Sequence, residues 1–136
     1  MKRIVLDTSA YVAFKRGEPE SVAVLRRAPG IALCPTVMGE LLAGFACGSE
    51  VARNRRELAE FLQSPRVELL EINAETAEHY ASAFALLRRK GRPVPTNDLW
   101  IAATALQHGY AVLTRDRHFG EIDNLISGSA LGDFLP

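Results

Sequence analysis

The segment Lys2-Arg3-Ile4-Val5-Leu6-Asp7-Thr8-Ser9 sets a short apolar run with β-branched members directly against residues that favour helix N-caps. It reads as strand, turn and helix with no spacer, and the alternation recurs downstream. Glu20 to Arg27 forms a short helix between Pro19 and Pro29-Gly30. Ile31 to Cys34 is a second apolar run, followed by Pro35 in the first turn of a helix, where its missing N–H costs nothing. That helix carries Val37, Met38, Leu41, Leu42 and Phe45 on one face and stops near Gly48. Glu50 to Leu62 packs through Val51, Leu58, Phe61 and Leu62, and Ser64-Pro65 ends it.

A third strand is expected at Val67 to Leu70. Asn73 caps a long helix in which Ala77, Tyr80, Ala81, Phe84 and Leu87 recur at helical spacing, closed by Arg88-Arg89-Lys90 and Gly91. Pro93 and Pro95 enforce an extended link. Thr96 or Asn97 then caps a helix through Trp100, Ile101 and Leu106 to Gly109. Tyr110 to Thr114 is a fourth strand, and Leu125-Ile126 reads as an edge strand before a loop from Ser127 to Gly132. Short apolar strands alternating with helices predict one α/β domain over 1–136, a mainly parallel sheet of four to five strands with helices on both faces.

With 136 residues, of which 48% are hydrophobic and 24% charged, the chain has the composition of an ordinary folded domain. Sixteen basic residues balance sixteen acidic ones, so contact with a polyanion requires a local patch rather than a global field. No apolar run approaches the roughly 18 residues of a membrane span, and Asp7 stops the run after Met1-Lys2-Arg3 before it becomes a signal peptide, so a cytosolic protein is expected. Cys34 and Cys47 lack metal-ligand spacing and are expected to be free, buried thiols.

In an open parallel sheet, ligands bind outside the carboxyl ends of the strands. Asp7 directly follows the first strand and Asp116 the fourth, while Glu40 and Asp98 lie in the opening turns of helices that reach the same end. Singly, Asp7 and Asp98 read as capping residues and Asp116 as a turn aspartate. Glu40 is harder to dismiss, because it borders an apolar stripe in a helix almost free of charge. If the four meet, each pair about 4 Å apart repels by roughly 4 kcal/mol at an effective dielectric near 20, so raised pKa values or a cation must relieve the crevice. Oxygen donors without a zinc set of Cys or His suit Mg²⁺ or Mn²⁺, and an ion so held supports hydrolysis of a phosphodiester.

The order Asp7-Thr8-Ser9, Glu40-Leu41-Leu42-Ala43-Gly44, Asn97-Asp98 with Ile101-Ala102-Ala103, and Thr114-Arg115-Asp116 with Phe119 resembles the PIN-domain ribonucleases, most of all the VapC-type toxins of prokaryotic toxin–antitoxin pairs. The resemblance covers nearly the whole chain, apart from Ser127 to Pro136. It implies an endoribonuclease that uses Mg²⁺ or Mn²⁺ and leaves a 5′-phosphate and a 3′-hydroxyl. By matching position, Asp7, Glu40, Asp98 and Asp116 would be the catalytic, metal-holding quartet, supported by Thr8, Ser9, Asn97 and Thr114. The helices around Tyr11, Val12 and Phe14 and along Glu50 to Leu62 would take an antitoxin segment and form part of a homodimer surface.

For RNA phosphates, the basic residues nearest the acids are Lys15, Arg16, Arg115 and Arg117, with Arg88 to Arg92 a weaker cluster that also suits the helix dipole. Trp100 is expected in packing or an interface rather than under a base. His79, His108 and His118 show no ligand spacing, although His118 is close in sequence to Asp116. Other readings fit less well. A haloacid-dehalogenase phosphatase needs a second acid where Ser9 stands, a receiver domain needs paired acids before its first helix, and no P-loop motif occurs. The alternative from another class is a non-catalytic PIN-fold module that acts through its protein partner.

Overall fold

The computed structural model describes residues 1–136. Strands β1 (Ile4–Leu6), β2 (Ile31–Leu33), β3 (Val67–Leu69), β4 (Ala111–Leu113) and β5 (Ser127–Gly128) form one sheet in the order β3-β2-β1-β4-β5, and every pairing is parallel. Six helices, α1 (Thr8–Lys15), α2 (Pro19–Arg27), α3 (Pro35–Ala46), α4 (Val51–Gln63), α5 (Ala74–Lys90) and α6 (Thr96–His108), make the crossovers. All nine residues of β1, β2 and β4 are buried, as a sheet covered on both faces requires. From β1 the chain runs outward through β2 to β3, then returns through α5 and α6 to β4 on the other side of β1. The boundary between β1 and β4 is therefore the topological switch point, where an α/β sheet opens its crevice.

The local signals work as the residues suggest in several places. Pro35 begins α3. Asn73 and Thr76 form a reciprocal capping box at the start of α5, and Gly91 ends it at φ 67°, a backbone conformation that disfavours any side chain. Beyond these signals, Arg66 reaches back from the turn before β3 to donate to the carbonyls of Leu25 and Ala28, closing the end of α2.

Four expectations are corrected. The edge strand is Ser127–Gly128 rather than Leu125-Ile126. The chain is so tightly folded there that a Cβ on Gly128 would collide with Asp133, whose carboxylate accepts from the N–H groups of Ser129 and Ala130. Neither Thr96 nor Asn97 caps α6; Pro95 holds the cap position, because its restricted φ already gives the extended backbone a cap needs. Cys34 is buried but Cys47 is exposed, since it closes the outward-facing last turn of α3 beside exposed Ala43, Gly44 and Ala46.

The buried stripe of α5 is Thr76, Ala83 and Leu87 rather than the stripe through Ala77, Tyr80, Ala81 and Phe84. Small residues let either face pack against α6, and the chosen face satisfies the buried Thr76 hydroxyl with Asn73 and Gln107. Tyr80 instead stacks on Trp100 with ring centroids 4.2 Å apart, and Phe84 remains 46% exposed.

Candidate active site: four carboxylates at the switch point

Asp7 ends β1 and caps α1. Its Oδ1 accepts from the Ala10 N–H and the Ser9 hydroxyl, both at 2.8 Å, and its Oδ2 accepts from the Thr114 hydroxyl at the end of β4. These bonds compensate a carboxylate only 3% exposed. Thr8 donates to Glu40 Oε1 at 2.8 Å, tying the opening turn of α1 to the second turn of α3. Thr114 also accepts from the Asp116 N–H at 2.9 Å, and Ser9 accepts from the Arg115 N–H at 3.0 Å. Two hydroxyls, those of Ser9 and Thr114, thus stitch the first acid motif to the last, with Asp7 and Thr114 107 residues apart in the chain.

Asp7, Glu40, Asp98 and Asp116 all line one open crevice of about 680 Å³. Asp98 stands in the first turn of α6, where the helix dipole favours negative charge. Even so, burial, the charge of Asp116 and a hydrogen bond to it, and the charge of Asp7 push the Asp98 carboxyl up to about 6. Burial likewise raises Asp7 against the pull of its three hydrogen bonds. Burial pushes Asp116 upward as well, yet the backbone and side chain of His118 and the bond to Asp98 outweigh it and lower this carboxyl. Of these two carboxyls, Asp98 is therefore the one that holds a proton more readily.

The direction for stability follows. The folded chain binds the Asp98 proton more tightly than the unfolded chain, whose value is near 3.8, so that contribution is complete below about 3.8 and lost as pH rises through about 6. Asp7 acts in the same sense, and Asp116 in the opposite one. In chelator, the melting temperature is expected to fall between pH 5 and pH 7, and saturating Mn²⁺ to flatten that fall. A metal-free melting temperature that rises steadily over this interval contradicts the raised Asp98 carboxyl.

Of the supporting residues, Thr8, Ser9 and Thr114 hold acids, whereas Asn97 is exposed at the second position of α6 and holds none. Arg16 and Arg115 line the crevice, with Arg115 paired to Glu18, a rim carboxylate that no sequence motif singled out. Arg117 lines an adjoining trough of about 420 Å³ with no hydrophobic side chain in its lining. Lys15 is drawn elsewhere, to Glu57 of α4 at 3.1 Å. In the Arg88 to Arg92 cluster, Lys90 and Arg92 pair with Asp123 and Glu121, which assigns those two to holding the segment after β4. Tyr11 is an internal residue set edge-on to Phe61, not part of an open groove.

His118, the histidine set apart by its closeness in sequence to Asp116, stands beside two of the acids. Its Nδ1 lies 2.8 Å from Asp116 Oδ1 and 3.7 Å from Asp98 Oδ2, and the three residues offer donor atoms within 4.8 Å of one another. An oxygen-rich donor set under mutual repulsion fits a hard divalent cation.

The switch-point crevice and the parallel sheet define the class: residues 4–125 match the PIN domain family. Among known proteins, the chain is similar to ribonuclease VapC4 of Mycobacterium tuberculosis, 30% identical over 127 residues that cover 92% of this chain and 95% of that one. It is also 30% identical to ribonuclease VapC1 of Haemophilus influenzae strain R2866, covering 89% and 92% of the two chains. The crystal structure of DNA-bound VapBC from Salmonella typhimurium superposes with a TM-score of 0.81 at 26% identity, covering 94% and 98%. The chain belongs to the VapC ribonucleases of the PIN-domain family.

Proposed function

We propose that this chain is the RNA-cleaving toxin of a toxin–antitoxin pair, an endoribonuclease dependent on Mg²⁺ or Mn²⁺ and working in the cytosol. The observation that carries the reading is the convergence of Asp7, Glu40, Asp98 and Asp116 in one crevice. These four would hold the ion. Once bound, it supplies the positive charge that activates water and offsets charge building on the phosphoryl oxygens.

The chain's own residues do the positioning. Asp7 is locked by three hydrogen bonds and cannot turn away, and Thr8 aims Glu40 into the crevice. Asp98 faces Asp116, and their mutual repulsion is what a bound cation would relieve. Arg16, Arg115 and Arg117, around the crevice and its adjoining trough, offer contacts to RNA phosphates, and release of Arg115 from Glu18 accompanies its use.

The protein partner is an antitoxin, a reading supported by neighbours solved as VapBC complexes. Its seat is the apolar groove of about 360 Å³ bordered by Phe14, Val22, Leu25, Ile31 and Phe61. The exposed Phe84 beside the stacked Tyr80 and Trp100 suits the homodimer surface.

The test is cleavage of total cellular RNA by the antitoxin-free protein with Mg²⁺ or Mn²⁺, with fragment ends mapped. Cuts at a few sites that leave 5′-phosphates and vanish in EDTA are expected. A folded, metal-binding protein that cuts nothing points instead to the non-catalytic module acting through its partner.

A further inference from the structure

We infer that His118 is a nitrogen ligand of the ion held in this crevice and biases the site toward first-row transition ions such as Mn²⁺ over Mg²⁺. The inference rests on the reading of the crevice as a metal centre, and it adds a donor that the four acidic motifs do not contain. Around an ion with bonds of about 2.1 Å, neighbouring donors of an octahedron stand about 3.0 Å apart and opposite ones about 4.2 Å. The His118 Nδ1 lies 2.8 Å from Asp116 Oδ1 and 3.7 Å from Asp98 Oδ2, so both separations fall near that range.

The backbone explains why the imidazole stays there. Asp116 caps the short 3₁₀ turn Arg117–Glu121, and its Oδ1 accepts the His118 N–H at 2.9 Å. The next residue, Phe119, is fully buried and anchors the turn. His118 is thus tethered at its Cα, and its side chain, 52% exposed, would exchange the present contact of Nδ1 with Asp116 for a bond to the ion.

Ligand chemistry then sets the preference. A shell of carboxylates and water suits Mg²⁺ and Mn²⁺ alike, whereas imidazole is a ligand of the transition series. Mg²⁺ also demands near-ideal octahedral geometry and gives up its waters reluctantly. One nitrogen donor therefore separates two ions that an all-oxygen site would treat similarly.

The experiment uses the full chain without RNA. Mn²⁺ is titrated by electron paramagnetic resonance, the bound ion is examined by a pulsed experiment for coupling to ¹⁴N, and Mg²⁺ is used to displace it. The wild type is expected to show imidazole ¹⁴N coupling. In His118→Ala the coupling disappears and Mn²⁺ affinity falls about tenfold, while Mg²⁺ affinity changes less than about twofold. His118→Gln, which offers a polar group but no imidazole, behaves like the alanine variant, and circular dichroism confirms that both fold. Mn²⁺ held by the wild type without ¹⁴N coupling, or an unchanged Mn²⁺-to-Mg²⁺ preference in both variants, overturns the assignment. Asp98→Asn separates the two levels: if it leaves Mn²⁺ binding intact, the metal-centre reading itself fails, and the His118 assignment fails with it.

Discussion

Asp98→Asn is expected to leave a folded, more heat-resistant protein that no longer cuts RNA. The amide keeps the shape of the carboxylate and its place beside Asp116, but it carries no charge and makes a poor ligand for a hard cation. Losing several kcal/mol of charge stabilisation corresponds to a fall in cleavage on the order of 10³-fold. Stability moves the other way. Above pH 6 the wild-type carboxylate is forced to ionise against Asp116 and Asp7 in a partly desolvated crevice, and the variant escapes that repulsion. A metal-free melting temperature about 2–4 °C higher near pH 7.5 is expected, since 1 kcal/mol moves a domain of this size by roughly that amount. With Mn²⁺ the order reverses, because the ion stabilises only the protein that binds it well. Melting curves in chelator and in metal, beside cleavage assays, read all three effects; undiminished cleavage by the variant removes Asp98 from the reaction.

Phe119→Ala is expected to cost the most stability, about 3–5 kcal/mol in urea denaturation, a large share of the total for one domain. The ring is fully buried in the main core and fastens the 3₁₀ turn that begins at Asp116. Its removal leaves a cavity and frees the turn, so metal affinity should fall together with stability. Phe119→Leu, which refills most of the volume, is expected to recover most of both. If alanine lowers stability while the affinity of the folded protein for Mn²⁺ is unchanged, the turn is held without Phe119.

Much of this was legible from residue order. Apolar runs ending in an acid or a proline located β1, β2 and the starts of α1 and α3, and the rule that ligands gather at the carboxyl ends of parallel strands brought four distant acids to one place. Capping chemistry placed both ends of α5. Where several side chains had to be weighed together, local pattern was insufficient. The face of α5 was misread because alanines make two stripes almost equally packable, and burial of Thr76 depends on Gln107 in another helix. Strand β5 was misplaced because its formation turns on a close approach between Gly128 and Asp133 rather than on β-propensity. The partners of His118, Glu18 and Lys15 were hidden for a related reason: the partner of a charged side chain is a property of the assembled fold.

The bond from Thr114 to Asp7 has a meaning for a cell that makes this protein. The first acid is translated almost at once, whereas Thr114 and Asp116, and the strand that sets β4 beside β1, come more than a hundred residues later. A nascent chain on the ribosome therefore carries no assembled cluster until the segment past Asp116 has left the exit tunnel. The pairing of β1 with β4, unlike that of β1 with β2, cannot form before then. On the proposed role of the cluster, the order of synthesis would keep the growing polypeptide harmless to the RNA around it.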